Sequence, residues 1–269
     1  MSTVLYKLLI LTSVESVAPT IDKNICSFIR LCYAYAKMKN KGMKLYCFSP
    51  PVMVATFVIE TALFVYTLVR YRMTTTGRLI AAALVLLALF QLAEFKVCTT
   101  GGLTSVWSRF GYMAITLLPP VGVHLIVSMA KRPTRWLVTM AYTIGILFAL
   151  VFGLSATAFA NHICAGNYVI FQLANGVGGA YFAYYYALLF IGIVTGLFFM
   201  IDAKPKIREA LALQVLGYLS FLLPTAVVNT LDPQTISGIP SVMCGFAVLY
   251  ALILVFGIAP RVLSPRTAK

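Results

Sequence analysis

The stretch LIAAALVLLALFQLAEF, residues Leu79–Phe95, carries one charged side chain, Glu94, and is otherwise almost wholly apolar. A bilayer core about 30 Å thick is crossed by a helix of roughly 20 such residues. Six further stretches have the same character. The seven predicted spans are Pro51–Val69, Leu79–Phe95, Val106–Met129, Trp136–Thr157, Ala180–Ile201, Ala210–Thr230 and Ile239–Ile258. The chain is therefore predicted to be an all-α polytopic membrane protein, a bundle of seven transmembrane helices.

Composition leads to the same class. The 269 residues are 61% hydrophobic and only 10% charged, with a mean hydropathy of +0.93. Soluble domains have about 25% charged residues, so this chain needs lipid as its solvent. Backbone groups in hydrocarbon must bond to each other, and the absence of period-two alternation favours helices over a barrel. No separate soluble domain is expected.

Basic residues mark every second connection. The connections after spans one, three and five and the C-terminal tail carry basic residues, while those after spans four and six carry none. The basic residues are Arg70, Arg72, Arg78, Lys131, Arg132, Arg135, Lys204, Lys206, Arg208, Arg261, Arg266 and Lys269. Positively charged loops stay in the cytoplasm. We therefore expect an outside N-terminus, a cytoplasmic C-terminus and a location in the plasma (inner) membrane.

The net charge of +14 follows largely from this bias. Basic clusters interleaved with aromatic residues, typical of a nucleic-acid interface, are absent from the sequence, so nucleic acid is not a predicted partner. The lipid bilayer is the expected partner.

Residues 1–42 do not fit the orientation, because their six basic residues would have to cross the membrane. They are interpreted as an over-extended start or a weakly ordered N-terminal tail. The alternative is an interfacial helix over Ile25–Lys37. Residues 43–260 then form the membrane domain, and residues 261–269 form a basic cytoplasmic tail.

Four polar residues are candidates for a ligand site. Glu60 lies in the middle of the first span, where a carboxylate is costly and needs a partner or water. Gln91 and Glu94 lie in the second span, and Arg109 lies at the start of the third. Glu94 and Arg109 could close as a salt bridge, with Lys96 as the competitor. The alternative to a ligand site is that these residues only fix helix packing.

The fifth span opens with the aromatic run Tyr181–Tyr186. Interfacial tyrosines usually form an aromatic belt, but this run circles the helix, so some of its side chains must point inward. We take Tyr181, Tyr184 and Tyr185 as candidate ligand contacts.

Cys98 and Cys164 fall in two different outer connections, where an oxidising compartment would preserve a disulfide. A bridge between them is the favoured pairing, with Cys47 as a possible competitor. Neither a Cys/His spacing for a metal site nor a cofactor motif is found, so no metal or cofactor is predicted.

Pro119 and Pro120 interrupt the third span, and Pro224 interrupts the sixth. Proline removes a backbone hydrogen bond and kinks a helix. These positions are either hinges or tolerated kinks.

The segment Leu84–Ser128 carries a resemblance. It contains Phe90-Gln91-Leu92 with Glu94, then Val106–Tyr112 (VWSRFGY), then Leu117–Pro120 (LLPP) and His124. This pattern resembles the N-terminal seven-helix sensor region of bacterial histidine kinases and related signalling proteins. The resemblance covers mainly spans two and three. Such sensors are normally fused to an output domain, whereas this sequence ends soon after its last span.

The resemblance implies a stand-alone sensor that binds a small ligand from outside and signals through a cytoplasmic partner docked on the basic loops. A small-solute or proton-coupled transporter and a structural subunit of a membrane complex are the alternatives. An enzyme is not expected, because no nucleophile constellation is visible. Topology alone does not assign a function.

Overall fold

The computed structural model describes residues 50–100, 105–164, 168–174 and 176–266. Within them, seven helical segments are long and apolar enough to cross a membrane. Spans 1 to 7 are Pro51–Arg70, Thr75–Thr99, Val106–Ala130, Arg135–Leu154, Val177–Met200, Pro205–Leu231 and Pro233–Val262. The predicted fold class, a multi-pass bundle of seven helices, is confirmed. The interpretation of residues 1–42 lies outside the described residues.

Five spans are single helices, and two are composite. The single helices are Pro50–Arg70, Thr75–Thr99, Arg135–Leu154, Val177–Met200 and Pro205–Leu231. Span 3 consists of helices Ser105–Thr116 and Leu118–Ala130. Span 7 starts with a 3-10 turn, Pro233–Gly238, continues as helix Ile239–Leu252 and π-helix Ile253–Ile258, and ends with helix Ala259–Val262.

Spans 2, 3 and 7 form the interior of the bundle. Their apolar windows are 61%, 67% and 67% buried, whereas those of spans 1 and 4 are each 28% buried. Span 1 packs on spans 2 and 7, and span 4 packs mainly on span 3. Spans 5 and 6 close the ring between spans 3 and 7. Spans 1 and 4 therefore present most of their surface to lipid.

A β-hairpin follows span 4, where the sequence predicts only a polar loop over residues 161–179. Strands β1, Phe159–Cys164, and β2, Val169–Leu173, pair in antiparallel register, with Cys164 opposite Val169. Val169 and Phe171 are buried against the end of the bundle. The loop prediction is wrong because the alternation in Val169–Leu173 places one face of this strand on the helices.

Tyr168 precedes β2 and packs against Gly238, at the start of span 7. Burial raises the pKa of the Tyr168 phenol, and the negative charge of Asp232 raises it further. The hairpin is thus anchored on spans 2, 3 and 7 at one end of the molecule, here called the hairpin end.

Cys98 and Cys164 form a disulfide, which is the pairing favoured by their loop positions. It joins the last turn of span 2 to the end of β1, and the two cysteines are 66 positions apart in the chain.

The opposite end, here called the basic end, carries the Arg- and Lys-rich connections. The segment predicted as a basic tail, residues 261–269, packs on the first connection as far as residue 266. The Arg72 amide donates to the Ser264 carbonyl at 3.0 Å, and the Arg266 amide donates to the Arg70 carbonyl at 2.8 Å. Leu263 is buried beside Gly77, and this contact fixes the segment on the first connection.

Glycines in the bundle interior allow side chains of neighbouring helices to pack close to the backbone. The Tyr218 ring of span 6 lies between Gly122 of span 3 and Gly192 of span 5. A Cβ atom on Gly192 would lie 2.9 Å from Cε2 of Tyr218, closer than any van der Waals contact. Small residues commonly serve this purpose in membrane bundles.

We predict that Gly192→Ala destabilises the protein by about 1–3 kcal/mol, because the wedged Tyr218 ring cannot move away. The measurement is the thermal unfolding midpoint of the purified protein. Gly179→Ala is the matched control. A Cβ atom there meets nothing within 4 Å, so the unfolding midpoint of this variant should equal or exceed that of the wild type. An equal loss in both variants would contradict this packing.

We predict that reduction of the disulfide, or Cys98→Ser, lowers stability by about 2–4 kcal/mol, because the bridge restrains a long loop in the unfolded chain. The unfolding midpoint is measured with and without reductant. Reductant should leave the midpoint of Cys98→Ser unchanged. A wild-type midpoint that is also unaffected would show that the bridge does not stabilise the fold.

Candidate functional site

Two acidic side chains lie buried where spans 1, 2 and 7 meet. Glu60 of span 1 is 0% exposed and Glu94 of span 2 is 1% exposed. Both Glu60 oxygens and Oε1 of Glu94 have no hydrogen-bond partner among the described residues. The two carboxyl groups lie within electrostatic range of each other. A buried carboxylate without a partner is costly, and such a residue in a membrane marks a functional site by default.

Gln91 completes this cluster. It lies one turn before Glu94 on span 2, is 2% exposed, and its Nε2 has no partner within the described residues. Thr56 lies one turn before Glu60, and its hydroxyl donates to carbonyls of its own helix at 2.9 and 3.0 Å. Residues one turn apart share a helix face, so both pairs face the same interface.

Span 7 contributes Ser241, whose hydroxyl forms a hydrogen bond with the Glu94 carboxyl group. A cleft of about 190 Å³ is lined by Thr56, Gln91, Glu94 and Ser241, together with Val52, Met53 and Gly245. We call Thr56, Glu60, Gln91, Glu94 and Ser241 the carboxyl site.

The hairpin contacts the carboxyl site at Ser241. The Val169 amide of β2 donates to the Ser241 hydroxyl at 3.1 Å. Cys98, which is bridged to β1, lies one turn beyond Glu94 on span 2. The hairpin and its disulfide therefore lie next to the site at that end.

The salt bridge that Glu94 and Arg109 could close is not formed by these two residues, and Arg109 instead fixes helix packing, which is the alternative given above. Arg109 donates through Nε to the Phe152 carbonyl at 3.2 Å and through a second nitrogen to the Gly153 carbonyl. These carbonyls end span 4 and lack helical partners of their own, which makes them good acceptors for a cation. Lys96, the other expected partner, lies over the Trp107 ring at 5.9 Å. Arg109 therefore anchors span 3 to span 4.

The candidate tyrosines of span 5 belong to a different part of the bundle. Tyr181, Tyr184 and Tyr185 are buried, but none of them lines the cleft that Glu94 lines. Tyr181 packs at 5.6 Å from Tyr112 and 4.9 Å from Phe152, measured between ring centroids. The cleft beside Glu94 is lined by residues of spans 1, 2 and 7, so the structure does not bring these tyrosines to it.

Cys244 of span 7 lies between the carboxyl site and the tyrosines of span 5. It is 4% exposed and within electrostatic range of both Glu60 and Glu94, and it also interacts with Tyr112, Tyr181 and Tyr185. Two apolar cavities of about 290 and 420 Å³ share Tyr185, Met243 and Cys244 as lining residues. The larger one also reaches Pro119 and Tyr218.

The proline pair breaks span 3 at Leu117, as the sequence indicates. Pro120 has no amide hydrogen, so the Thr116 carbonyl loses its helical donor. The Tyr184 hydroxyl donates to that carbonyl at 2.8 Å. Tyr184 thus supplies the hydrogen bond that the Thr116 carbonyl lacks at the break in span 3. It lines neither of the two apolar cavities. Pro224, by contrast, lies within an uninterrupted helix. The hinge role of these prolines remains a prediction.

Two other polar side chains within the spans, Tyr250 and Ser220, form hydrogen bonds away from the carboxyl site. Tyr250 accepts a hydrogen bond from Gln214 at 2.7 Å, and Ser220 donates to the Gly217 carbonyl at 2.7 Å. His124 lies 3.3 Å from the Tyr142 hydroxyl and is away from the site.

The sequence did not identify Ser241 or Cys244 as candidate site residues. Both lie in the long apolar run of span 7, where small polar residues give no hydropathy signal. Their spacing of three, which places them on one helix face, was the only available cue.

Among the described residues, no three His, Cys, Asp or Glu side chains come together as a metal site. Comparisons of the chain with protein-family models, with curated proteins and with solved structures find no match.

We predict that Tyr184→Phe destabilises the protein by about 1 kcal/mol, because the Thr116 carbonyl loses its donor inside the bundle. That corresponds to a drop of roughly 2–4 °C in the unfolding midpoint. Tyr186→Phe removes the same hydroxyl from an exposed position on the same helix and should have no effect. Equal midpoints for the two variants would contradict the assigned role of Tyr184.

Proposed function

We propose that the chain is a seven-span plasma-membrane sensor that binds a small ligand at the carboxyl site and signals through a separate cytoplasmic partner. The observation that carries the proposal is a pair of buried carboxyl groups: among the described residues, both oxygens of Glu60 and Oε1 of Glu94 have no hydrogen-bond partner. A bundle selected only for stability would be expected to pair or replace them, because each one weakens the packing.

The basic end supports docking of an acidic partner surface. Most of its Arg and Lys side chains are exposed, including Arg72, Arg135 and Lys206. Its two ion pairs are Arg132–Asp202 at 3.3 Å and Arg261–Glu209 at 2.9 Å, within the described part of the chain. Complementary charge speeds encounter with a partner and orients it. The positive-inside bias supports a cytoplasmic location for this end.

Span 3 supplies a physical connection between the ends. Its break at Leu117 borders the larger apolar cavity, and that cavity shares Cys244 with the neighbourhood of the carboxyl site. The half that follows the break, Leu118–Ala130, ends at Lys131 on the basic end. A ligand that favours one arrangement of span 7 would bias this half-helix, provided it binds that arrangement more tightly.

A cation-coupled transporter is the second candidate. The same carboxyl groups could titrate during transport, and the two apolar cavities could hold a small solute on its path. A structural subunit is less supported, since it offers no reason for unpaired acids.

We predict that cross-linking in native membranes attaches a cytoplasmic signalling protein to the basic end. Arg135→Gln combined with Lys206→Gln should lower its yield roughly tenfold, because the docking charge is removed. The measurement is mass spectrometry of the cross-linked products.

Gln172→Glu combined with Gln234→Glu, both exposed at the hairpin end, changes the net charge by the same amount and is the control. Equal loss in both pairs would contradict docking at the basic end. A membrane-embedded partner would favour the subunit alternative. No partner, together with solute flux in liposomes, would favour the transporter.

A further inference from the structure

We propose that the carboxyl site binds one small monovalent cation, either a proton or a desolvated alkali-metal ion, shared between the oxygens of Glu60 and Glu94. This inference rests on the proposed function, since it names the ligand class of the same site. It would also apply to a cation-coupled transporter.

Charge balance is the first step. Two carboxylates in a medium of low dielectric constant repel each other and are poorly solvated, so the pair needs positive charge nearby. Neither carboxylate forms an ion pair with a described residue. The nearest candidates are occupied elsewhere, Arg109 by carbonyls of span 4 and Lys96 by Trp107.

The other titratable groups that face the pair cannot supply this charge. They are the Cys244 thiol of span 7 and the Tyr112 phenol of span 3. A thiol and a phenol are either neutral or negative. The positive charge must therefore come from a bound cation, and with one carboxyl group protonated a single charge suffices.

The chemistry of the lining is the second step. The site offers carboxylate oxygens from Glu60 and Glu94 and a hydroxyl oxygen from Ser241. Hydroxyl oxygens keep lone pairs free even while donating, so Thr56 can also contribute one. Oxygen ligands of this kind suit hard cations.

The partner-less Gln91 amide adds a second, independent sign of a ligand. It is 2% exposed and lines the same cleft as Glu94, and its Nε2 has no partner among the described residues. The oxygen and nitrogen of an amide are assigned from their surroundings, so either atom can face a ligand.

Burial is the third step. Glu60 is 0% exposed, Glu94 is 1% exposed and Gln91 is 2% exposed. The hairpin bonds to the same site, because the Val169 amide donates to the Ser241 hydroxyl. Side chains this deeply buried favour an ion that has shed its water.

The test is the unfolding midpoint of the purified full chain in lipid nanodiscs, without any partner. It is measured from pH 5 to 9 and, at each pH, in sodium, potassium, lithium or choline chloride of equal ionic strength. Because a ligand of the folded state stabilises by mass action, we expect a shift of several degrees with pH or with one alkali ion. Dependence on pH alone identifies a proton, and an alkali-ion shift that weakens as pH falls identifies a competing metal ion.

Glu60→Gln and Glu94→Gln should each abolish the shift. Glu209→Gln, which removes an exposed carboxylate at the basic end, should keep it. Ser241→Ala removes one oxygen but leaves both acids, so it should raise the cation concentration for half the shift roughly tenfold even if the Gln variants fold poorly.

A wild-type midpoint that depends on neither pH nor alkali ion would overturn the proposal. So would a dependence that survives in Glu60→Gln and Glu94→Gln. Because no partner is present, such a failure leaves docking at the basic end untouched. Conversely, loss of the cross-linked partner says nothing against cation binding.

Discussion

Hydrocarbon offers no hydrogen bonds, and this constraint organises the whole bundle. It makes every span helical, and it requires a donor wherever a helix is broken or ends inside the protein. Tyr184 meets this need at the Thr116 carbonyl, and Arg109 meets it at the end of span 4. Glu60 departs furthest from this rule among the described residues, because neither of its carboxyl oxygens has a hydrogen-bond partner. Oε1 of Glu94 and single buried polar atoms of Gln91 and a few other side chains also lack one. An exception of this kind points to a ligand more directly than any cavity volume does.

Hydropathy alone predicted the spans, because the cost of inserting polar residues into lipid depends on local composition. The same reasoning correctly singled out Glu60, Gln91 and Glu94 as costly residues. Hydropathy did not predict which side chains lie beside Glu60 and Glu94, because contact between spans depends on the order in which the helices close the ring. Nothing local in the sequence shows that span 7 packs beside span 1 and carries Ser241 to Glu94.

The hairpin was missed for a related reason. Its residues are polar enough to look like a loop, and the turn between its strands interrupts the alternation. What stabilises Val169 and Phe171 is burial on the bundle end, which is a tertiary effect that sequence propensity does not report. The possible Arg109–Glu94 salt bridge is not formed for a similar reason, since the sequence does not show that carbonyls of span 4 compete for Arg109.

The hairpin, the disulfide and the carboxyl site lie side by side, and this arrangement bears on how water reaches the site. Water at the site would solvate Glu60 and Glu94 and weaken any preference for a bound cation. The disulfide at Cys98 holds the hairpin down one turn from Glu94, and β2 bonds directly to Ser241. The oxidised bridge therefore holds β1 beside the acids, and we expect its reduction to admit water to the proposed cation site. Cation affinity and the state of the bridge should for this reason change together.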